Sequence, residues 1–382
     1  MQHFNSKRKR IAFVPAVSLP VTTNERVPKM FLALSKYYDI YPISPSKLNH
    51  LVYDQKYNKF LRYFFFTIDE FLLFLGTIKA IRTNGIDLVF AENSYFALAS
   101  ALAAKISGKP SVWDNHGNVK LYSEAMGKSR VFSTANILME KYLHKVVSKI
   151  FVVSKTDFDE YARMGFSMDK FHIIPICADT EIMDRNAKSK EMVREILGIP
   201  RDTVIVLFFG TLSYEPNMEA VNFIIEVLSK RVEKEFPSVV FCIAGGGAKP
   251  ERLPENVKHL GFVPFDPGLC LWLHASDICI APLWRGVGVL TKVVDMLSAG
   301  KPTILTEVAT VGMPELKHEL NCLVARDKSS FLNEFMRLLT DDALRERIGS
   351  EGRRLIDEKY SWEVVGKRVH NIIDSLIAKS RQ

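Results

Sequence analysis

The sequence predicts an α/β protein with two doubly wound parallel sheets, one in each half of the chain. Three observations predict this class. The chain has 382 residues, about the length of two domains. Short apolar runs rich in β-branched and aromatic residues recur along it, and segments with helical periodicity lie between most of them. Because alternating strands and helices favour a parallel sheet, two such sets indicate two sheets.

The strand runs are continuously apolar, which is typical of strands covered on both faces. In the first half they are 10–15, 39–44, 86–91, 110–114, 149–154 and 170–175. In the second half they are 203–209, 238–244, 257–263, 277–282, 301–306 and 321–325. One helical segment between them starts at Asn217, which is predicted as its N-cap.

Composition indicates an ordinary globular protein, with 47% hydrophobic and 25% charged residues. The five cysteines form no C-x-x-C pair and lie in apolar runs, which predicts buried free thiols in a reducing compartment. We recognise no signal peptide and no run of 18 apolar residues, so we expect a cytoplasmic protein. The net charge of +8 comes from the first 180 residues, which carry 24 Lys+Arg and 15 Asp+Glu. That excess indicates an acidic partner for the N-terminal half, and we expect no nucleic acid.

The segment 284–302, WRGVGVLTKVVDMLSAGKP, has the pattern of an anion site. Gly286 and Gly288 follow a strand run and would let backbone N–H groups approach a ligand closely. The helix that follows adds its positive dipole end. A third glycine for a dinucleotide fingerprint is absent, and no G-K-[ST] is present, which disfavours a nicotinamide dehydrogenase and an ATPase.

Lys292 and Asp295 follow these glycines, three residues apart on one helix face. A lysine in a first helical turn opposes the helix dipole, and a bound anion would reverse that cost. A lysine near a diphosphate and a carboxylate near sugar hydroxyls would suit a nucleoside diphosphate. The alternative is a solvated Lys–Asp pair on an amphipathic helix, and the spacing alone leaves both open.

Several motifs resemble the retaining glycosyltransferases of family 4, which have the GT-B fold. In the second half these are 208–228, 241–247, 261–265 and 282–306, which occur in the family's order. In the first half, 86–118 and 151–166 are similar, and 360–373 resembles the family's final helix. The resemblance implies two Rossmann-like domains facing across a cleft. It implies an acceptor-side domain at 1–183, a donor-binding domain at 184–360 and a helix at 361–382 that packs back on the first domain.

The resemblance also implies a set of donor contacts in the second half. Asp295 matches the second acid of the family's Glu–seven–Glu motif, which binds the donor's ribose. Phe262 and Val263 match the turn whose main chain reads the base. His116 matches a histidine that faces the donor from the first domain. The loop and cation that hold the diphosphate are matched by Gly286, Val287, Gly288 and Lys292. Gly210 and Arg285 are predicted as further donor contacts.

The chain departs from the family at two of these places. The first acid of the Glu–seven–Glu pair is absent, and Trp284 and Arg285 stand where it would begin. The Arg/Lys pair that usually follows the first strand of the second domain is missing from 210–217. Lys292, with Arg285, is left to neutralise the leaving diphosphate.

Other candidates remain open between a functional and a structural interpretation. His116 follows a strand run at a sheet edge where ligands bind, and Asp114 either orients it or ends the strand. Glu92 is an acceptor contact or an ordinary loop residue. Glu315 is interpreted as a helix N-terminal charge. We interpret Gly245–Gly247 as a close packing turn rather than a dinucleotide loop.

The stretch 56–82 is dense in aromatic residues and is flanked by basic ones. It is predicted to be either a buried amphipathic helix or a helix that lies on an anionic membrane. Asp69 and Glu70 within it argue against a membrane-spanning helix.

We therefore predict a retaining hexosyltransferase of glycan or glycoconjugate synthesis. It would move a sugar from a nucleoside-diphosphate sugar to a glycan or lipid-linked acceptor, with no cofactor and no metal, and with peripheral membrane contact. The catalytic residues are predicted to be His116, Lys292 and Asp295. The alternatives are a nucleotide-sugar epimerase or phosphorylase of the same fold, and a non-catalytic nucleotide-sugar binding partner.

Overall fold

The computed structural model describes residues 8–15, 26–44, 59–125, 130–247, 250, 252–285 and 290–381. The chain divides into two compact units. Met1–Pro175 and Val365–Gln382 form the first unit, and Ile176–Val364 form the second. The division therefore lies at 175/176 and 364/365, where the sequence suggested 183/184 and 360/361.

The first unit alternates strands and helices along the chain. Its strands are β1 (Arg10–Val14), β2 (Asp39–Pro42), β3 (Leu88–Glu92), β4 (Ser111–Asn115), β5 (Lys149–Val152) and β6 (Phe171–Ile173). Its helices up to this point are α1 (Arg26–Ser35), α2 (Lys59–Asn84), α3 (Ser94–Ile106), α4 (Val119–Ala125), α5 (Arg130–Val146) and α6 (Lys155–Arg163). The described strands form one parallel sheet in the order β2-β1-β3-β4-β5-β6.

The second unit repeats this architecture. Its strands are β7 (Val204–Phe209), β8 (Val239–Ala244), β9 (Val257–Gly261), β10 (Ile278–Ala281), β11 (Thr303–Thr306) and β12 (Leu323–Ala325). Its helices are α7 (Thr180–Arg185), α8 (Lys190–Ile196), α9 (Glu215–Phe223), α10 (Cys270–Ala275), α11 (Thr291–Ser298), α12 (Glu307–Thr310), α13 (Lys328–Thr340) and α14 (Asp342–Leu355). The helix α9 continues through a π-helical turn, Ile224–Leu228, into Ser229–Val232.

The strands of the second unit are parallel, in the order β12-β11-β10-β7-β8-β9 among its described residues. The chain therefore starts in the middle of the sheet, builds one side outward and returns to build the other. β7 and β10 are neighbours at the point where the strand order reverses. In open α/β sheets, ligands bind beyond the carboxyl ends of the strands at such a point.

Both faces of this sheet are covered, as the continuous apolar runs predicted. Val206 and Phe208 of β7 pack in one hydrophobic cluster with the α9 and α13 helices. Ile205 and Leu207, the alternate residues of the same strand, pack in another cluster on the α10 side. Each predicted strand run coincides with a strand in the part of the chain that the structure describes. The α/β class with two doubly wound sheets is confirmed.

All five cysteines are free and buried, as predicted. Burial raises the pKa of the Cys279 thiol to about 11 and that of Cys322 to about 12. These thiols are therefore protonated at neutral pH and pack as small apolar groups.

The last helix, α15 (Trp362–Ser380), belongs to the first unit from Val365 onward. Asp374 accepts a hydrogen bond from Lys9, and the His370 ring lies 2.8 Å from the Tyr38 hydroxyl. At the end of this helix, Arg381 donates to Asp87 at 2.7 Å. These contacts tie the C-terminal helix to the rest of the first unit.

Candidate functional site

The predicted anion site lies at the switch point of the second sheet. Gly210 follows β7, and the segment ending at Arg285 follows β10. The helix α11 begins at Thr291 and carries Lys292 in its first turn and Asp295 one turn later. The structure therefore brings four of the predicted residues to the carboxyl ends of two neighbouring strands. Gly286, Val287 and Gly288 lie outside the described residues.

The Lys292 ammonium points to the end of β7. Its Nζ donates a hydrogen bond to the Asn217 Oδ1 at 2.6 Å and lies 4.5 Å from the centre of the Phe208 ring. Burial lowers the pKa of Lys292 to about 7. Among the residues that the structure describes, its contacts are thus a neutral oxygen and an aromatic face, neither of which cancels the positive charge.

Gly210 makes the space that this ammonium occupies. A Cβ at Gly210 would lie 2.6 Å from the Lys292 Nζ and 2.8 Å from the Asn217 Nδ2. The φ angle of Gly210 is +153°, which L side chains rarely adopt. Any larger residue here would be strained and would displace Lys292. Packing around the Lys292 ammonium therefore explains why a glycine occupies position 210 at the predicted donor site.

Asn217 has a different role from the predicted one. The N-cap of α9 is Tyr214, and Asn217 lies in the first turn, where it is 6% exposed. Its Nδ2 donates to the Thr211 carbonyl at 2.8 Å, while its Oδ1 accepts from Lys292. The prediction of an N-cap was wrong because the helix starts at Glu215, which places its N-cap three residues earlier, at Tyr214. Sequence reasoning missed the contact with Lys292 because 75 positions separate the two residues.

Asp295 is buried in α11, with 4% of its surface exposed. This burial contradicts the alternative of a solvated Lys–Asp pair on a helix surface. Since buried carboxylates are rare without a structural or functional reason, the observation favours a specific role for Asp295. Its contact with a ribose stays a prediction.

Arg285 is bound by two glutamates of α9. Its Nε and one NH₂ group donate to the two carboxylate oxygens of Glu219, at 3.0 and 2.7 Å. The same NH₂ group lies 2.7 Å from Glu215. These hydrogen bonds raise the pKa of Arg285, and the side chain is half exposed. In this arrangement the Arg285 charge is already compensated, whereas that of Lys292 is not.

The predicted base-reading turn follows β9. Phe262 is 77% exposed, and its side chain lies 3.8 Å from the Cβ position of Gly246. Val263 is partly buried against Gly268 and the α10 side of the sheet. An exposed aromatic ring at the carboxyl end of a strand is available to a ligand. The role of this turn in reading a base stays a prediction.

The glycines after β8 pack against the turn after β7. A Cβ at Gly245 would lie 2.0 Å from the Gly210 carbonyl oxygen, and one at Gly247 would lie 2.7 Å from the Ser213 amide nitrogen. The Leu212 amide donates to the Gly246 carbonyl at 2.7 Å. These contacts support the packing interpretation of Gly245–Gly247 and fix the turn that precedes α9.

A second cluster of charged side chains lies in the first unit, at the carboxyl ends of β3 and β4. Asp114 is fully buried and accepts two hydrogen bonds from Arg26, at 2.9 and 2.8 Å. Burial raises the pKa of Asp114, but the opposing effect of Arg26 and His116 is larger and lowers it to about 2. The Nε2 of His116 lies 3.6 Å from the Asp114 carboxylate. That separation is longer than a hydrogen bond, so an orienting role for Asp114 stays a prediction.

Glu92 completes this cluster. One ligating atom from each of Glu92, Asp114 and His116 lies within 4.8 Å of the others, a spacing that a metal ion could bridge. Sequence reasoning missed the group because its members come from two strands. The site fits a metal poorly, since the Arg26 guanidinium already forms hydrogen bonds to both Asp114 oxygens. A divalent cation here would have to displace that charge.

Glu315 has a structural role instead of the predicted helix N-terminal one. It lies in a turn after α12, where it accepts hydrogen bonds from Tyr360 and from Lys359 at 2.5 and 3.2 Å. Lys301 of the "GKP" segment is likewise structural. Its Nζ donates to the carbonyl groups of His274 and Ser276, at 2.8 and 3.1 Å, where α10 ends.

Two protein-family models match this chain, one in each half. The model described as "Glycosyl transferases group 1" matches residues 203–341, and the one described as "Glycosyltransferase Family 4" matches residues 44–182. Together they cover most of the strands and helices of both units. The chain belongs to the group 1, family 4 glycosyltransferases, and the resemblance inferred from its motifs is confirmed.

Curated relatives are distant. An uncharacterized glycosyltransferase of Methanocaldococcus jannaschii is 28% identical over 190 residues, which are 47% of this chain and 47% of that protein. A D-inositol 3-phosphate glycosyltransferase of Streptomyces bingchenggensis is 24% identical over 305 residues, which are 76% of this chain and 66% of that protein. The chain thus matches about half the length of the first relative and about two thirds of the second.

Solved structures share the fold over nearly the whole chain. The sucrose-phosphate synthase of Thermosynechococcus elongatus has a TM-score of 0.73 and 14% identity, over 97% of this chain and all (100%) of that one. Anabaena HepE in complex with UDP has a TM-score of 0.71 and 13% identity, over 96% of this chain and 100% of that one. At this identity the likeness is one of fold, and it confirms GT-B with two Rossmann-like domains.

Proposed function

We propose that this protein is a retaining, metal-independent glycosyltransferase that uses a nucleoside-diphosphate sugar as donor. The observation that carries the proposal is the uncompensated Lys292 ammonium at the switch point of the second sheet. A diphosphate would supply the negative charge that this buried cation lacks. Family membership and the likeness to HepE, whose structure contains UDP, support this donor class and make UDP the first base to test.

Glycosyl transfer requires that charge on the departing diphosphate be stabilised as its bond to the sugar breaks. Lys292, held in place before the reaction, and the first-turn amides of α11 would do so electrostatically. Arg285 would join them if the diphosphate displaced Glu215 and Glu219. Asp295 is proposed to bind the donor's ribose, and His116 the reacting sugar. Retention of anomeric configuration is proposed from the family resemblance, and the acceptor is proposed to be a glycan or a lipid-linked sugar.

Thermal melting with UDP, GDP, ADP, CDP and dTDP, each with and without EDTA, tests the donor site. A ligand at 100 times its dissociation constant stabilises the folded state by about 2.7 kcal/mol. We expect one nucleotide to raise the melting temperature independently of EDTA, and Lys292→Ala and Asp295→Ala to abolish the rise. No rise with any of the five nucleotides would contradict the donor assignment.

Product analysis separates transfer from its alternatives. The protein is incubated with the donor whose nucleotide binds, and the released sugar is followed by NMR. A released or transferred sugar with the donor's anomeric configuration supports retention, and an inverted one refutes it. Donor isomerisation without release would indicate an epimerase, and turnover that requires phosphate would indicate a phosphorylase. Donor binding without any turnover would indicate a non-catalytic binding partner.

We also propose that α2 contacts an anionic membrane surface, next to which a lipid-linked acceptor would be used. No helix among the described residues has the length and apolar character to cross a membrane. The α2 helix instead buries one side in the first unit and exposes Phe71, Leu72 and Leu75 on another. The exposed Lys79 and Arg82 continue that face along the helix. Apolar and basic residues on one face are typical of a helix that binds anionic lipid.

Co-sedimentation with vesicles of phosphatidylcholine, with and without phosphatidylglycerol, tests this contact. We expect binding to the anionic vesicles only, with loss in the Phe71→Ser/Leu75→Ser variant and in the Lys79→Glu/Arg82→Glu variant. The matched control is Met192→Ser/Ile196→Ser, which removes two equally exposed apolar side chains from α8 in the second unit. Equal binding by all of these proteins would refute the α2 contact.

A further inference from the structure

The Asn217 amide is held in one orientation by its two hydrogen bonds. Its Nδ2 donates to the Thr211 carbonyl, and its Oδ1 accepts from the Lys292 Nζ. Exchanging the two amide atoms would set a donor against the ammonium and an oxygen against the carbonyl, so the contacts allow one assignment. Asn217 is also 6% exposed, in the first turn of α9. Lys292 is therefore bound to a fixed oxygen atom.

This oxygen holds Lys292 without neutralising it. An ammonium has three N–H groups, and in the described part of the chain Asn217 accepts one of them, which leaves the others for a ligand. A carboxylate at the same place would form an ion pair and cancel the charge that an anion needs. The Gly210 backbone and the Phe208 ring restrict the ammonium on other sides, again without negative charge.

We propose that Asn217 is a positioning residue for donor binding, because it fixes the Lys292 ammonium toward the diphosphate and leaves its charge uncompensated. The inference rests on the proposed function, since it concerns the same diphosphate site. Asn217 acts through Lys292, and its neutral amide is as important as its hydrogen bond. The site thus combines a cation from α11 with an uncharged acceptor from α9, the helix that follows Gly210.

Calorimetric titration with inorganic pyrophosphate and with UDP tests this role on the full-length chain. We expect Asn217→Ala to weaken the binding of both ligands by about tenfold or more, as for the loss of a hydrogen bond to a charged group. We expect Asn217→Asp to weaken it further, although aspartate has nearly the same shape, because its carboxylate would pair with Lys292. A role in packing alone predicts the reverse order, with aspartate milder than alanine.

A double-mutant cycle gives the second readout. In the Lys292→Ala background, titrated at millimolar pyrophosphate to measure its weakened affinity, Asn217→Ala is expected to cause no further loss, because the residue acts through the lysine. Asn256→Ala is the matched control. Its Nδ2 also donates to one carbonyl of the second unit, that of Ser229, and we expect affinity within about twofold of wild type.

The outcomes distinguish this inference from the function on which it rests. If the wild-type protein binds neither pyrophosphate nor UDP, both are overturned. If Lys292→Ala loses binding while Asn217→Asp binds as tightly as wild type, only the positioning role is overturned. Additive losses in the double variant would overturn it as well. Should Asn217→Ala fail to fold, the near-isosteric Asn217→Asp and its double variant with Lys292→Ala carry the test.

Discussion

Replacing Lys292 with methionine should stabilise the ligand-free protein, although it should strongly weaken diphosphate binding. Methionine has nearly the length of the lysine side chain and no charge, so it fills the space next to Phe208 and Gly210 without the cost of burying an ammonium. Such a gain at a binding residue would indicate that the site is kept for function at the expense of stability.

The magnitude follows from the burial of the ammonium. A pKa lowered from 10.5 to about 7 corresponds to about 5 kcal/mol against the charged form. Methionine leaves the buried Asn217 Oδ1 without its donor, which costs the variant roughly 3 kcal/mol. The net gain for Lys292→Met is therefore about 2 kcal/mol, or roughly 4–8 °C in the melting temperature of a domain of this size.

The pH dependence has a definite sign. Since the folded-state pKa of Lys292 is below that of the unfolded chain, the unfolded chain binds more protons between about pH 7 and 10.5. The destabilisation is complete below pH 7 and fades as the pH rises through this window. The advantage of Lys292→Met should therefore be largest at pH 6.5 and smaller at pH 9.

Thermal melting without ligand at these two pH values measures the effect. The control is Lys301→Met, in which burial has also lowered the lysine pKa, to about 8. Its Nζ binds two carbonyl groups, so the variant leaves both without a donor and should melt below wild type. A Lys292→Met variant that melts below wild type at pH 6.5, or whose difference from wild type is the same at both pH values, would refute the reasoning.

Three further predictions concern other contacts of these sites. UDP affinity should fall as the pH rises from 7 to 9, by at most about tenfold per pH unit, because Lys292 must be protonated to bind. Calorimetry at several pH values should show a flatter affinity profile for Lys292→Arg. A wild-type affinity independent of pH would count against the site. Arg26→Met should cost about 3–5 kcal/mol in urea unfolding at pH 7, because it leaves the Asp114 carboxylate buried without its guanidinium. The folded-state pKa of Asp114 is lowered, so this contribution should be present above about pH 4 and fade toward pH 2 in wild type, and an unchanged unfolding free energy in the variant would exclude it. Gly245→Ala should lower the melting temperature or prevent folding, because its Cβ would lie 2.0 Å from the Gly210 oxygen. Gly76→Ala is the control and should melt like wild type, because among the described residues its Cβ would have no atom from outside its own helix within 4 Å. Equal melting of the two variants would contradict the packing role of Gly245.

The strands could be predicted from the sequence because burial on both faces leaves a local mark. Val204–Phe209 and Val239–Ala244 are apolar at every position, since alternate residues enter clusters on opposite sides of the sheet. Lys292 and Asp295 could also be predicted as site residues, because both lie on one helix that follows a strand. Such features depend on residues that are neighbours along the chain.

The contacts that these residues make could not be predicted from the sequence in the same way. Asn217 was predicted as a helix cap from its place before an amphipathic segment, but Tyr214 takes that position. Glu219 and Arg285 are 66 positions apart, and Arg26 and Asp114 are 88 apart. No local pattern marks these pairs, because each depends on which strands become neighbours in the sheet.

The sequence by itself determined the α/β class, the strand positions, the buried thiols and the family, since these follow from periodicity, composition and motifs along the chain. The tertiary structure decided which charges are compensated. Arg285 is bound by two glutamates, whereas Lys292 is given a neutral amide and an aromatic ring. That difference is set by the adjacency of β7 and β10, which places α9 beside the start of α11. Because electrostatic energy depends on distance and burial in space, the charge state of the site could be read only from the folded chain.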